Sequence, residues 1–271
     1  MVCIPFDGVS IPTKGYLLEV PSMPDIFDFH THVYDRDFWF RGKGVLRAYA
    51  KDYFKSPVRL AVSLPLLARF ESWMKPRELR PSSSSRLILF DLVGSFSSIS
   101  PLGLKLHPPL QDVSACDPGL DETYGLAERE GCPVVVHFGY CSAGNLRFAD
   151  PLSIIEVVDK FPGLTVVMAH MGTGRGNYWE NAKRVARCCD GVYFETSWAP
   201  PGVVREAVEL FGAERVVFGS DYPFRSVEEE LDKVLSLGFS DEELYRILWR
   251  NADELLRGVI KRSSSLMVRE K

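Results

Sequence analysis

Short apolar, β-branched runs alternate with longer amphipathic stretches along most of the chain. Eight of these runs predict strands, at 26–32, 58–64, 87–93, 102–107, 134–138, 164–170, 192–196 and 215–220. Most lie against Gly or Pro and lack the polar alternation of a half-exposed strand, so they read as parallel strands buried on both faces. Helical patterns fill the gaps. Asp150-Pro151 supplies an N-cap and a first-turn proline, and Phe161-Pro162-Gly163 closes that helix. Ser240-Asp241-Glu242-Glu243 forms a capping box ahead of Leu244, Ile247, Leu248 and Leu255 on one helical stripe.

Strand–helix alternation repeated about eight times predicts an α/β fold, a (β/α)8 TIM barrel. It forms one domain over 1–271, with a core of about 25–257 and surface extensions at both ends. The Ser-rich link 94–101 is too short for a crossover helix. Either the connection between strands 3 and 4 is shortened or a strand is misplaced there. A doubly wound sheet is the alternative architecture.

Composition narrows the setting. The chain has 271 residues, 46% apolar and 25% charged, enough for one full-sized core in a soluble protein. Its 32 basic and 36 acidic residues give a net charge of -4, and no Lys/Arg cluster suits a phosphate backbone, so no nucleic acid is expected. No apolar run approaches the roughly 20 residues of a membrane span. The N-terminus lacks a basic segment followed by an apolar one, so a cytoplasmic protein is expected. Four Asn, one Gln and an Arg excess of 21 over 11 Lys suit a thermophilic source. Six cysteines without Cys-x-x-Cys spacing read as buried thiols, with pairing the alternative in a hyperthermophile.

The five histidines carry the chemical message. His30, His32, His107, His137 and His170 all fall at the C-terminal ends of predicted strands, the rim where barrel active sites are built. His30-Thr31-His32 places two imidazoles at the strand period of two, aimed to one side. His137 and His170 end runs 33 residues apart, one β/α unit, and Asp221 follows the last predicted strand. Converging imidazoles and one carboxylate make an open N/O site suited to Zn2+ or another borderline divalent ion.

His30-Thr31-His32, Gly103-Leu104-Lys105-Leu106-His107-Pro108, the run 133–137, His170-Met171-Gly172 and Gly219-Ser220-Asp221-Tyr222-Pro223 together resemble the amidohydrolase superfamily. The similarity extends from about Asp25 to Leu256 and is nearest the branch that includes aminocarboxymuconate-semialdehyde decarboxylase. It implies His30, His32, His137 and Asp221 as metal ligands, with His170 beside the metal. Lys105 stands where some members carry a carboxylated lysine bridging two metals, in which case His170 becomes a ligand. As an ordinary ammonium, Lys105 instead contacts substrate or a carboxylate. His107 is a substrate contact or a structural histidine.

Such an ion brings the pKa of bound water to about 7, Asp221 accepts the proton, and His170 stabilises charge or protonates a leaving group. Tyr34, Arg36, Trp39, Tyr140, Arg147, Arg175, Trp198 and Arg225 lie on predicted rim loops, and Arg suits a carboxylate-bearing small molecule. The reading placed first is a metal-dependent hydrolase of a small amide, lactone or ester, holding one zinc. The alternative is a non-oxidative decarboxylase or C–C lyase on the same ligands. A non-catalytic metal-binding barrel ranks last, because a structural zinc is closed by four protein ligands. A homodimer is allowed for.

Overall fold

The computed structural model describes residues 26–31, 85–89, 91–92, 103–141, 144–221 and 224–257. Its strands are β1 (Ile26–Thr31), β2 (Ser85–Leu89), β3 (Asp91–Leu92), β4 (Leu104–Leu106), β5 (Val134–His137), β6 (Val166–Ala169), β7 (Val192–Glu195) and β8 (Val216–Val217). β1 pairs with β2, and β3 to β8 neighbour one another in chain order, every pair parallel. Helices Asp121–Glu130, Ser153–Lys160, Tyr178–Cys188 and Pro201–Phe211 make the crossovers between β4 and β8. The last strand returns to the first. Phe29 N–H donates to Phe218 O at 2.9 Å, and Asp221 N–H to His30 O at 2.7 Å. Sequential parallel order with this closure is a TIM barrel, not a doubly wound sheet.

Two expectations are corrected. The single strand predicted at 87–93 is two short strands on different neighbours, β2 on β1 and β3 on β4. Leu255, predicted to share the buried stripe of Leu244, Ile247 and Leu248, is only half-buried, while Leu256 is fully buried. The cause is local. Arg246–Arg250 adopts a π-helical turn, whose extra residue brings Ala252 and Leu256 onto the buried face, where Asn251 is buried as well. The predicted strand at 58–64 and the link at 94–101 lie outside the described residues. No helix of the described residues is long and apolar enough to cross a membrane. Of the cysteines, Cys189 is buried, Cys188 exposed, and Cys116, Cys132 and Cys141 half-buried, with no disulfide among the described residues.

Strand parity sorts the interior. Leu104, Leu106, Val134, Val136, Val166, Met168, Val192, Phe194 and Val216 pack outward against the helices in one large apolar cluster. The alternate residues Val135, Val167, Ala169 and Val217 face inward, with Phe29, Ala252 and Leu256, as a small apolar floor. Lys105, His137 and Glu195 share that inward parity, because each lies an even number of residues from, or in register with, a floor residue. The barrel interior thus carries polar groups at the C-terminal ends of its strands.

Candidate metal centre

β1 delivers His30 by a departure from regular pairing. Its register on β2 shifts between Asp28 and Thr31, an irregularity that re-aims side chains. Phe29 joins the apolar floor, and the next residue, His30, still reaches Lys105 and Glu195. Gly219 makes this approach feasible. A Cβ there would lie 2.4 Å from Glu195 Oε1 and 2.8 Å from the His30 Cβ, so only glycine fits.

Glu195, fully buried at the end of β7, organises two imidazoles. His30 Nδ1 lies 2.8 Å from Glu195 Oε2 and must donate to that carboxylate. Its Nε2 is then an acceptor, and the Lys105 ammonium donates to it at 2.9 Å. Ser197 donates through its hydroxyl to Glu195 Oε2 at 2.8 Å and through its backbone N–H to Oε1. With that hydroxyl proton committed, Ser197 Oγ accepts from His170 Nδ1 at 2.8 Å. Both histidines therefore carry the proton on Nδ1 and keep Nε2 as a lone-pair donor, the tautomer a metal ligand requires. His30, His170 and Glu195 also bring three donor atoms within 4.8 Å of one another. The hydrogen bonds account for that closeness, with Glu195 orienting the rings.

Three residues just past strand ends hold left-handed backbone: His170 (φ 60°), Trp198 (φ 59°) and Asp221 (φ 59°). Each such conformation costs roughly 1–3 kcal/mol in a non-glycine residue, and the bulky Trp198 is the least tolerant. Asp221 is buried; its Oδ1 lies 3.3 Å from His30 Nε2, and its Oδ2 accepts from the Trp198 indole N–H at 2.7 Å.

Burial tunes the charges. It lowers the Lys105 ammonium to about 8, against the opposing pull of Asp221 and Glu195. It lowers His170 to about 4, partly resisted by the same two carboxylates. His137 falls well below the imidazole range through burial, with His107 and His170 adding to the effect. These histidines are neutral at pH 7 and able to ligate. Asp28 is raised to about 7 by burial, although Ser220 donates to it through backbone N–H at 2.9 Å and hydroxyl at 2.5 Å.

Two observations fit these residues to a divalent ion. His137 Nε2 is buried without a hydrogen-bond partner, a state that costs about 1–3 kcal/mol and that an ion would relieve. At His30 Nε2 a cationic ammonium stands beside the Asp221 carboxylate, where a cation suits the donors. His30, His137 and Asp221 could hold an ion, and His32 lies outside the described residues.

The predicted rim groups divide. Trp198 reaches Asp221, and Arg225 lies over the Trp198 ring at 5.0 Å with its Nε donating to Glu230 at 2.9 Å. Tyr140 is exposed at the rim, Arg175 and Arg147 are exposed, and Tyr34, Arg36 and Trp39 lie outside the described residues. His107 stacks on His137 with centroids 3.8 Å apart. Sequence reasoning missed Glu195, Ser197, Asp28 and Ser220. For Glu195 and Asp28 a signal existed, since each is an acidic residue directly beside Phe in a run predicted to be a buried strand.

The family model described as Amidohydrolase matches residues 100–258. Gamma-resorcylate decarboxylase of Polaromonas sp. is 27% identical over 117 residues, covering 36% of this chain and 36% of that protein. The chain thus matches little more than a third of the length of this curated relative. An uncharacterised TIM-barrel protein of Bordetella bronchiseptica superposes with TM-score 0.57 at 18% identity, covering 86% of this chain and 99% of that one. A dihydroxybenzoic acid decarboxylase of Polaromonas sp., solved with manganese and 2-nitroresorcinol, superposes with TM-score 0.51 at 12% identity, covering 86% and 97%.

Proposed function

The chain belongs to the amidohydrolase family, and from that premise we propose that it is a metal-dependent, non-oxidative decarboxylase of a small, hydroxylated aromatic carboxylate. The observation that carries this reading is the match to gamma-resorcylate decarboxylase. It ranks decarboxylation above the hydrolysis that the sequence puts first. The divalent ion is assigned to His30, His32, His137 and Asp221, with manganese or zinc as the candidates; His30 Nε2 beside Asp221 and the buried, unpartnered His137 Nε2 support the assignment. When bound, that ion would supply electrophilic anchoring of the substrate's oxygens.

The chain's own residues account for the rest. Lys105, the buried ammonium in the middle of β4, offers charge to an anionic carboxylate. Glu195 and Ser197 fix the tautomers of His30 and His170, so neither ring must turn during the reaction. Loss of carbon dioxide leaves the electron pair of the broken C–C bond on the ring carbon, which must take a proton. Asp221 is the carboxylate placed to hold and return it, steadied by the Trp198 indole. The neutral His170 stabilises charge beside it. The exposed Trp198 and Tyr140 offer flat apolar surface to an aromatic ring.

Incubation of manganese-loaded protein with 2,6-dihydroxybenzoate and related carboxylates in deuterated water tests the reading. One equivalent of carbon dioxide and one deuterium at the vacated carbon are expected. No carbon dioxide from any hydroxylated benzoate, together with water uptake into a lactone or amide, would establish hydrolysis instead.

A further inference from the structure

Glu230 is a fully buried carboxylate on the helix Val227–Leu235, which follows β8, and the centre described above does not use it. Two cations meet it there: Arg225 Nε donates to Oε1 at 2.9 Å, and the Lys233 ammonium donates to Oε2. Each cation also reaches the turn that follows β7. The Lys233 ammonium donates to Thr196 O at 2.8 Å, and the same carbonyl accepts from Ala199 N–H at 3.2 Å. That turn carries Trp198 in left-handed backbone, φ 59°, which a bulky residue keeps only when its surroundings hold it. The Arg225 guanidinium lies 5.0 Å from the Trp198 ring centroid, within cation–π range. The indole N–H ends the series on Asp221 Oδ2 at 2.7 Å.

We propose that Glu230 is a positioning residue for Asp221, acting through Arg225, Lys233 and Trp198. Burial makes an unpaired carboxylate costly, so Glu230 keeps both cations in place. Lys233 then holds the strained turn closed, and Arg225 covers the indole ring. With Oδ2 tied to the indole, the Asp221 carboxylate cannot rotate freely, and Oδ1 stays 3.3 Å from His30 Nε2. The aim of Asp221 is thereby set from a helix that carries none of the assigned ligands. The inference rests on the reading of Asp221 as ligand and proton carrier, and adds what keeps it aimed.

Near-ultraviolet circular dichroism and manganese titration of chelator-stripped protein provide the test. The difference between unaltered protein and Trp198→Phe defines the band of the held indole. Glu230→Gln and the milder Arg225→Met, at a partly exposed site, should each lose most of that band. Both should weaken manganese binding about tenfold, the lower end of what partners of metal ligands are worth. In the Trp198→Phe background neither should weaken it further, because the relay is already cut. Should Glu230→Gln fail to fold, Glu230→Asp, still charged but one methylene shorter, takes its place with the same two losses expected. Glu229→Gln removes an exposed carboxylate 3.9 Å from Arg225 and should change neither signal. A band retained in the Glu230 or Arg225 variant, losses that add to that of Trp198→Phe, or equal effects from Glu229→Gln would overturn the proposal. No substrate is present, so failure to release carbon dioxide leaves this result standing. Unchanged manganese binding in Asp221→Asn would instead remove the ligand reading, and the indole band alone would then judge Glu230.

Discussion

Phe194 and Glu195 are consecutive on β7, both fully buried, and have opposite roles. Phe194 points outward into the layer between strands and helices, with Trp179 and Phe211 rings 5.4 and 5.2 Å away. Glu195 points inward and holds His30, Ser197 and the backbone of His170. The comparison extends around the barrel. The outward residues form an apolar jigsaw held by burial, while the inward ends carry ammonium, carboxylates and imidazoles that burial alone would disfavour. Stability and chemistry are divided by a shift of one residue along the same strand.

The largest expected effect breaks the outer side. Phe194→Ala removes a fully buried ring and should cost about 3–5 kcal/mol, visible as a lowered midpoint in denaturant. The fraction that remains folded should keep its rate per molecule. A matching fall in rate at unchanged stability would place Phe194 on the chemical side and end the division.

On the inner side, His170→Asn keeps a donor for Ser197 and should lose about two decades of rate or more, with metal content near normal by elemental analysis. Loss of the ion with His170 would instead make it a ligand, as a two-metal centre with carboxylated Lys105 requires. The same variant has a pH signature in metal-free protein. Burial lowers His170 from 6.5 to about 4, so between those values the unfolded chain binds a proton that the folded one refuses. Stability therefore falls as pH drops from 6.5 towards 4, and melting curves of His170→Asn should show a shallower slope there.

Glu195→Gln acts one step from the ion. The amide presents a donor where His30, Ser197 and His170 all donate, so His30 loses its fixed tautomer. Manganese affinity should fall about 10–100-fold, the usual worth of such a partner, measured by competition with a chelating dye. Unchanged affinity would mean that His30 is not a ligand.

The sequence displays these two sides unequally. Outward residues and strand positions were legible because burial of apolar side chains leaves a periodic trace, and β4 to β8 lie within two or three residues of their predicted ends. The histidines at strand ends were legible because the fold concentrates chemistry there. The carboxylate hub was not, since Glu195 joins His30 across 165 positions and no local pattern records that contact. The slip from Leu255 to Leu256 was invisible because a π-helical turn leaves the composition of a helix unchanged.

The smallest expected effect lies far from the centre, on the capping box that the pattern predicts and the structure contains. Ser240 Oγ accepts from Glu243 N–H at 3.4 Å, and Glu243 Oε2 accepts from Ser240 N–H at 2.7 Å. The cap starts the helix whose buried face supplies Leu244 and Ile247 to the outer layer, so it supports packing without touching the ion. Ser240→Ala should cost about 1 kcal/mol and leave rate and manganese affinity unchanged. The Ser240 hydroxyl and backbone N–H hold the Glu243 carboxyl below its ordinary value of 4.5, so the box loses strength as pH falls through the carboxylate range. The stability difference between Ser240→Ala and the unaltered protein should therefore shrink on acidification, which thermal melts at pH 7 and pH 3 would measure. A constant difference would assign the cap's worth to the hydroxyl alone.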